Sequence, residues 1–212
     1  IHKDFEIYYY KDQKLSSVRS HTHNYYEFYF FVDGHVDMSI HETKYSLHPG
    51  DIILIPPDTS HYPLIQSGQT PYRRFVLWLS RDYMDHLARS SADFTYILQQ
   101  AQKHAVFSTS AIEFNTIQTM IFQLIEETKS DRFGKEALAP LLVNTLLLHL
   151  NRLIYERNHP SANSERQLYL RVCDYIEQNL DGELTLKTLS DHLFASKYHI
   201  AHSFKDNMGI SI

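Results

Sequence analysis

The first eighty residues follow the two-residue period of β-strands. Between residues 35 and 41 the alternation is regular, with Val36, Met38 and Ile40 on one face and polar residues on the other. Similar runs of β-branched and aromatic residues predict strands at residues 5–10, 18–23, 26–32, 45–48, 52–55 and 73–79. The dipeptide Asp33-Gly34 is typical of a two-residue hairpin, because glycine tolerates positive φ. Short strands separated by turns predict an antiparallel sandwich or barrel.

After residue 80 the period becomes helical. Short helices are predicted at residues 81–89 and 94–103, and the pair Ser110 and Glu113 has the spacing of a capping box at the start of a longer helix. A further helix at residues 136–157 is apolar around much of its circumference, so a single packing face would not bury it. Either it lies wholly inside the core or it contacts a second chain. The leucines predicted to form a homodimer contact are Leu138, Leu142, Leu146, Leu150 and Leu153.

The last third of the chain predicts a small all-α unit. Residues 158–164 are polar, contain proline and lack periodicity, which indicates a linker. Ser164 and Gln167 have the spacing of another capping box. Thr185 is expected to cap a short helix, and Ser196 a second helix that runs to about residue 208. Two short helices joined by a tight turn predict a helix-turn-helix, so the fold class as a whole is α+β.

Composition narrows the function classes. The chain has 212 residues, enough for one to two domains, and its net charge of -5 argues against a protein that coats nucleic acid through overall charge. The single Cys173 excludes an internal disulfide and is typical of a reducing compartment, so we expect a cytoplasmic protein. No uninterrupted apolar run reaches membrane-spanning length, so no membrane partner is expected.

One cluster carries candidate chemistry. His21 and His23 share a face if their segment is extended, Glu27 follows four residues later, and His61 lies downstream. Three imidazoles and a carboxylate are suitable ligands for a divalent transition metal. The same groups could instead contact a small effector, or satisfy one another as a structural cluster. No cofactor is required by the pattern, and the divalent metal stays open as an alternative.

These residues resemble the two cupin motifs. The first is His21-x-His23, three residues, Glu27, six residues, Gly34; the second runs from Gly50 through Pro56-x-Asp58 to His61. Asp58 departs from the usual glycine, and Ile65 from the usual asparagine. The resemblance implies a small antiparallel barrel in which all four metal-ligand positions are filled. The residues expected to line an effector pocket in it are His21, His23, Glu27, Tyr29, Phe31, His61 and Trp78.

The chain as a whole resembles the AraC/XylS-type transcriptional regulators. The resemblance is strongest in Leu184-Thr185-Leu186-x-x-Leu189, Ser196, Ile200, Phe204-Lys205 and Gly209-Ile210-Ser211. The departures are Ser190 for the usual alanine, His202 for a frequent base-contacting arginine, and Ser203 for an apolar residue. The family also has a second helix-turn-helix, whereas this chain stops at Ile212, so the DNA-binding domain is expected to be incomplete. The residues expected to contact DNA are Ser196, Lys197, Tyr198, His199, His202 and Lys205.

The resemblance implies a cytoplasmic regulator that binds promoter DNA and senses a small molecule, in keeping with the family a sugar. The expected organisation is a sensing barrel at residues 1–107, a helical dimerisation segment at 108–157, a linker at 158–164 and the first helix-turn-helix at 165–212. The rival hypothesis is a metal-dependent cupin enzyme that uses His21, His23, Glu27 and His61. The helix-turn-helix argues against an enzyme, since a cupin enzyme does not need one.

Overall fold

The computed structural model describes residues 4–13, 18–66, 70–159, 164–180, 182 and 184–212, with the side chains of residues 164–167 left aside. The chain forms two compact units, Ile1–Tyr155 and Glu156–Ile212. The first contains all the described strands and four α-helices, and the second is helical. The α+β class predicted from the change of period is therefore confirmed.

Antiparallel strands form two sheets in the first unit. The strands are β1 Phe5–Asp12, β2 Tyr26–Asp33, β3 Val36–Ile40, β4 Thr43–Ser46, β5 Ile52–Ile55, β6 His61–Ile65, β7 Tyr72–Leu79 and β8 Val106–Phe107. The larger sheet has the order β1-β7-β2-β5-β8, and the smaller one the order β4-β3-β6. Gly34 turns the chain between β2 and β3 at φ 129°, and a Cβ there would lie 3.1 Å from the Tyr72 Cα. Glycine is therefore required at this hairpin for both its φ and its small size.

Alternation on the central strands divides the side chains between two cores. Phe28 and Phe30 of β2 face a cluster formed with the helices, whereas Tyr29 and Phe31 face the interior between the two sheets. All four residues of β5 are buried, because the sheet is covered on both faces. The interior cluster includes Val36, Met38 and Ile40 of β3, as their alternation predicts.

The structure differs from the predicted strands in three places. Residues 18–23 form no strand; only His21 makes a bridge, with His61, through backbone N···O distances of 3.2 and 3.0 Å. β6 was not predicted because Pro63 interrupts its pattern, but β6 is an edge strand, where proline is tolerated. β8, only two residues long, was also missed.

The polar face of β3 is buried as well. Asp37 is held by the Lys44 ammonium at 2.8 Å, by the Ser46 hydroxyl at 2.6 Å and by the Gln66 side chain at 3.2 Å. These partners compensate the loss of water around the carboxylate. They also lower the pKa of Asp37, the hydrogen bond from Lys44 being the largest cause.

Helices cover the outer face of the large sheet. They are α1 Arg81–Ser90, α2 Tyr96–Ala101, α3 Ala111–Lys129 and α4 Lys135–Asn158, with a short 3-10 helix Ala92–Phe94 before α2. Ser110 and Glu113 form the predicted capping box of α3. Residues of α3 and α4 share one hydrophobic cluster with the strands, so the barrel and the helical pair form a single unit. The boundary predicted between residues 107 and 108 is therefore not a domain boundary.

Helix α4 has both a buried face and an exposed one. It is long enough and apolar enough to cross a membrane, and among the described residues it is the one helix that meets this criterion of length and composition. The core helix of a soluble protein meets the same criterion, and seven residues of α4 are buried. The predicted helix at residues 136–157 contains no uninterrupted apolar run of membrane-spanning length, because His149, Asn151 and Arg152 interrupt its sequence.

The second unit contains three helices around their own core. They are α5 Ser164–Gln178, α6 Leu186–Leu193 and α7 Lys197–Met208. Thr185 and Ser196 cap α6 and α7 as predicted, and Gly209 ends α7 in the left-handed conformation. Most of the predicted linker, residues 160–163, and the proposed Ser164–Gln167 cap lie outside what the structure describes. Leu189, Leu193, Ile200 and Phe204 pack in this core, so the predicted helix-turn-helix pair folds as one unit.

Candidate functional site

A pocket with both apolar and polar lining residues opens between the two sheets of the first unit. Its volume is about 280 Å³. Alternate residues of β7 reach it, namely Tyr72, Arg74, Val76 and Trp78, because every second side chain of a strand points to the same face. The other lining residues are Tyr10, Val18, His21, Glu27, Tyr29, Met38, Ile55, His61 and Pro63.

Glu27 forms the centre of an imidazole cluster at one end of this pocket. Its Oε2 lies 2.8 Å from His23 Nε2 and 3.3 Å from His61 Nε2, and the carboxylate is almost fully buried. Burial alone would raise the pKa of Glu27, but the hydrogen bonds from both histidines lower it to about 2. Burial likewise opposes the charged form of His61, yet Glu27 and the Thr59 carbonyl together raise its pKa. The cluster therefore holds a carboxylate that stays ionised.

The three histidines are oriented in the same way. His21, His23 and His61 each direct Nδ1 at a backbone carbonyl, at 3.0, 2.9 and 2.9 Å. A carbonyl oxygen only accepts hydrogen bonds, so each Nδ1 carries a proton. In a neutral imidazole this leaves Nε2 as an acceptor. For His23 and His61 that acceptor would face a carboxylate, a repulsive contact unless the ring is protonated or a cation lies between them.

The backbone around this cluster is fixed by several polar contacts. Asp58 adopts φ 62° where the motif usually has glycine, and its N–H donates to the His23 carbonyl at 2.7 Å. Arg81 pairs with the Asp58 carboxylate and donates to the Asn24 carbonyl at 3.0 Å. The backbone bridge between His21 and His61 joins the start of the first motif to the end of the second. The two motifs thus approach each other through main-chain contacts that orient the imidazoles.

Three buried donors around the pocket have no partner among the described residues. They are the Tyr29 hydroxyl, the Tyr72 hydroxyl and the Trp78 indole N–H. Burial raises the pKa of Tyr72 above its ordinary value, so its hydroxyl stays protonated. A buried polar group without a partner is destabilising, and such groups in native proteins usually meet a ligand, an ion or water. Their convergence on one cavity indicates a polar ligand.

Arg74 lies at the other end of the pocket from the imidazole cluster. Its guanidinium stacks between two aromatic rings, 4.7 Å from the Tyr10 centroid and 4.1 Å from the Tyr72 centroid. Nη1 donates to the Asp12 carboxylate at 2.6 Å. The stacking fixes the plane of the guanidinium and leaves its other N–H groups available.

Most of the predicted effector residues line this pocket. The structure brings together His21, Glu27, Tyr29, His61 and Trp78. His23 lies behind Glu27 rather than in the lining, and Phe31 is fully buried in the apolar interior. Tyr10, Tyr72 and Arg74 were not predicted. For Tyr72 and Arg74 a signal existed, because they precede Trp78 at intervals of two residues on a predicted strand.

The predicted DNA-contacting residues lie on α7 or at its start. Lys197, Tyr198, His202 and Lys205 are exposed and His199 is half-buried, while Ser196 accepts the His199 N–H as the helix cap. The Tyr198 ring stacks on His202 with centroids 5.5 Å apart. His202 also approaches Asp206 at 3.5 Å. The exposed face of α7 thus combines two cations with an aromatic pair.

Two of the predicted dimer residues are not available to a partner. Leu146 and Leu150 are fully buried in the core, and Leu142 and Leu153 pack against it, which leaves Leu138 exposed. The leucine pattern had not separated the buried face from the exposed one. Six of the exposed positions of α4 follow three- and four-residue steps: Leu138, Leu141, Thr145, Leu148, Arg152 and Tyr155. We call these six residues the α4 stripe; its spacing is that of a coiled-coil seam.

Comparison with known proteins identifies the family to which the chain belongs. Residues 3–143 match the model of the AraC-like ligand binding domain. The chain is 25% identical over 210 residues to the HTH-type transcriptional regulator YbfI of Bacillus subtilis (strain 168), covering 99% of this chain and 73% of that protein. It is 24% identical over 171 residues to the arabinose operon regulatory protein of Salmonella typhimurium, covering 80% of this chain and 57% of the relative.

The similarity to one solved cupin structure covers less than half of the chain. A Cupin 2 conserved barrel domain protein from Salinispora arenicola CNS-205 aligns with 43% of this chain and 76% of its own, at 19% identity and a TM-score of 0.35. The arabinose operon regulatory protein of Escherichia coli (strain K12) is 23% identical, and the chain spans 55% of its length. The chain thus spans little more than half of the arabinose regulators it matches.

Proposed function

The chain belongs to the AraC-type transcriptional regulators and has a cupin-like ligand-binding domain, and from this premise we propose that it binds promoter DNA in response to a small hydroxylated molecule of the sugar class. The molecule occupies the pocket between the two sheets. The DNA contacts come from α7, with Lys197 and Lys205 on phosphates and Tyr198 and His202 towards the bases. The protein acts as a regulator in the cytoplasm and not as an enzyme.

The observation that carries the sensing function is the set of buried donors without partners. Tyr29, Tyr72 and Trp78 offer hydrogen bonds that the described chain does not satisfy. Their aromatic rings also offer flat apolar faces to a sugar ring. A polyol satisfies both features, because each of its hydroxyl groups accepts as well as donates.

The regulatory step follows from differential affinity. A ligand shifts an equilibrium between two arrangements only to the extent that it binds one of them more tightly. The ligand binds more tightly to the arrangement of the first unit in which the unpaired pocket donors are positioned to hydrogen-bond with it. We propose that the α4 stripe joins two chains, so that each promoter meets two copies of α7.

A thermal-shift screen of monosaccharides tests the sensing function. A true effector present at about 100 times its Kd stabilises the folded chain by about 2.7 kcal/mol. The double variant Tyr29→Phe, Trp78→Phe removes two of the unpaired donors and should lose most of this gain. The matched control is Tyr9→Phe, which changes a tyrosine of β1 outside the pocket lining. Equal stabilisation of the pocket variant would show that the sugar binds elsewhere.

A second candidate function is metal binding at the imidazole cluster, and the shared Nδ1 orientation favours it. Atoms of His23, Glu27 and His61 that could ligate an ion lie within 4.8 Å of one another; His21, the fourth residue predicted, is outside that group, with its ring centroid 4.4 Å from that of His61. Backbone carbonyls on Nδ1 leave each Nε2 for the ion, so the donor set fits a divalent transition metal. When bound, such an ion would polarise an oxygen of a pocket ligand. Its presence alone would not distinguish a cupin enzyme from a metal-assisted sensor.

A further inference from the structure

The two ends of the pocket differ in charge. Glu27 and its histidines form one end, and Arg74 with Asp12 forms the other. Trp78 lies beside Glu27 in the sheet, and Arg74 precedes Trp78 by four residues on β7. At about 3.3 Å per residue the Cα atoms of Arg74 and Trp78 are roughly 13 Å apart along the strand, and their side chains extend from there into the pocket. A ligand that fills the pocket therefore meets a carboxylate at one end and a guanidinium at the other.

We propose that the effector carries a negatively charged group, a carboxylate or a phosphate, which Arg74 binds, while its hydroxyl groups point towards Glu27. This inference rests on the proposed function, because it assumes that the pocket holds the effector. It narrows the effector from a neutral sugar to a hydroxylated acid of monosaccharide size. The volume of about 280 Å³ is small for a ligand site, which excludes longer chains.

The hydrogen-bond inventory near Arg74 favours an acceptor-rich ligand. The guanidinium can only donate, and the buried hydroxyl of the adjacent Tyr72 has no partner among the described residues. Carboxylate and phosphate oxygens accept several hydrogen bonds each, and they match the planar fork of arginine. A hydroxyl group of a neutral sugar offers the guanidinium a single uncharged oxygen, so it binds there more weakly than an anionic group does.

Arg74 is placed to bind an anion rather than only to pair with Asp12. Its one hydrogen bond in the described structure uses Nη1, and the two stacked rings hold the guanidinium plane in position. Asp12 lies at the end of β1 and is partly exposed, so it can share the cation with an incoming anion. Arg73 serves as an internal comparison, because it points to the opposite face of β7 and pairs with Asp33.

Matched ligands test the charge requirement. The panel contains D-glucuronate with D-glucose, D-galacturonate with D-galactose, and the 6-phosphates of both hexoses, each titrated into the purified chain by calorimetry and thermal shift. The acids separate the carboxylate from the phosphate as the source of the charge. We expect at least one acid to bind and its neutral counterpart to bind at least tenfold more weakly.

Variants then assign the charge to Arg74. Arg74→Gln should weaken binding of the acid roughly 10- to 150-fold, since hydrogen bonds to a charged group are lost. Arg73→Gln removes an equal charge on the other face and should change the affinity less than twofold. Asp12→Asn removes a competing carboxylate and should tighten binding of the acid about three- to tenfold, without any effect on a neutral sugar. Arg74→Lys provides a folded alternative if the glutamine variant does not fold.

The outcomes separate this inference from the proposed function. Equal or tighter binding of a neutral sugar, unchanged in Arg74→Gln, overturns the charged effector and leaves a sugar sensor in place. If no acid in the panel binds, the charged effector is also overturned. Binding of the neutral sugars in the same panel then decides whether the pocket senses a sugar. If Arg73→Gln weakens binding of the acid as much as Arg74→Gln does, the effect comes from the overall charge of the protein. That result also contradicts the assignment of the anion to Arg74.

Discussion

Alanine substitutions at Leu141 and Leu146 of α4 should have opposite consequences for folding and for association. Leu146 is completely buried in the core, whereas 60% of Leu141 is exposed. Truncation of a buried leucine removes its contacts and leaves a cavity, which costs about 2–5 kcal/mol of unfolding free energy. The same change at an exposed position is usually within about 0.5 kcal/mol. Leu146→Ala should therefore destabilise the chain, and Leu141→Ala should not.

Association should show the reverse order. Full burial of a leucine side chain contributes about 1.5–3 kcal/mol, so covering the exposed 60% of Leu141 contributes about 1–2 kcal/mol per chain. A two-fold interface contains two copies, which gives about 2–4 kcal/mol in all. Leu141→Ala should then weaken the dimer roughly 30- to 700-fold.

Sedimentation velocity over a concentration series measures the dimer, and urea unfolding of the same samples measures stability. Ala137→Ser, at another exposed position of α4 outside the stripe, is the matched control. The reasoning would be refuted if Leu141→Ala sedimented like the wild type while remaining folded, or if Leu146→Ala lost no stability.

Three further results are expected. Phe194→Gly should stabilise the second unit by about 0.5–1 kcal/mol, because Phe194 is 94% exposed and ends α6 at φ 53°, a left-handed conformation that is strained for every residue with a Cβ. The control Phe194→Ala keeps this backbone strain. Equal unfolding midpoints for the two variants would contradict the explanation. Lys44 and its neighbours lower the pKa of Asp37 below its ordinary value of 3.8, so this carboxylate stabilises the fold above that pH and its contribution is lost as the pH falls through the lowered value. The stability difference between wild type and Asp37→Asn should accordingly close in acid titrations, and a difference that stays constant down to about pH 2 would be inconsistent with that assignment. Elemental analysis should find about one first-row metal per chain, lost in His23→Ala, Glu27→Ala, if the imidazole cluster binds an ion; metal-free folded wild type would remove the metal site.

Patterns within single elements were predictable from the sequence. Strands such as β2 and β7 have strong local preference, and the caps of α3, α6 and α7 are specified by residues three positions apart. Of the four candidate ligands, His23, Glu27 and His61 have ligating atoms within 4.8 Å of one another, and His21 lies outside that group with its ring centroid 4.4 Å from that of His61. His23 and Phe31 were assigned to the pocket lining because alternation alone does not show how deep each residue lies.

Features that depend on packing between elements were not predictable. Leu146 and Leu141 look alike in the sequence, and only the position of α3 and the sheet against α4 makes one a core residue. Arg74 belongs to the pocket because β1 supplies Tyr10 and Asp12 beside it. β6 contains a proline, and its strand conformation depends on pairing with β3.

DNA binding by α7 is the central claim, and fluorescence anisotropy against salt concentration tests it most directly. The probe is a labelled duplex enriched from a random pool by the purified chain, and the comparison is Lys197→Ala, Lys205→Ala. The account predicts an affinity that falls steeply as salt rises, and a log–log slope smaller by about two in the double variant, because two phosphate contacts are lost. If no duplex is enriched, or if affinity and slope are the same in the variant, α7 does not bind DNA as proposed.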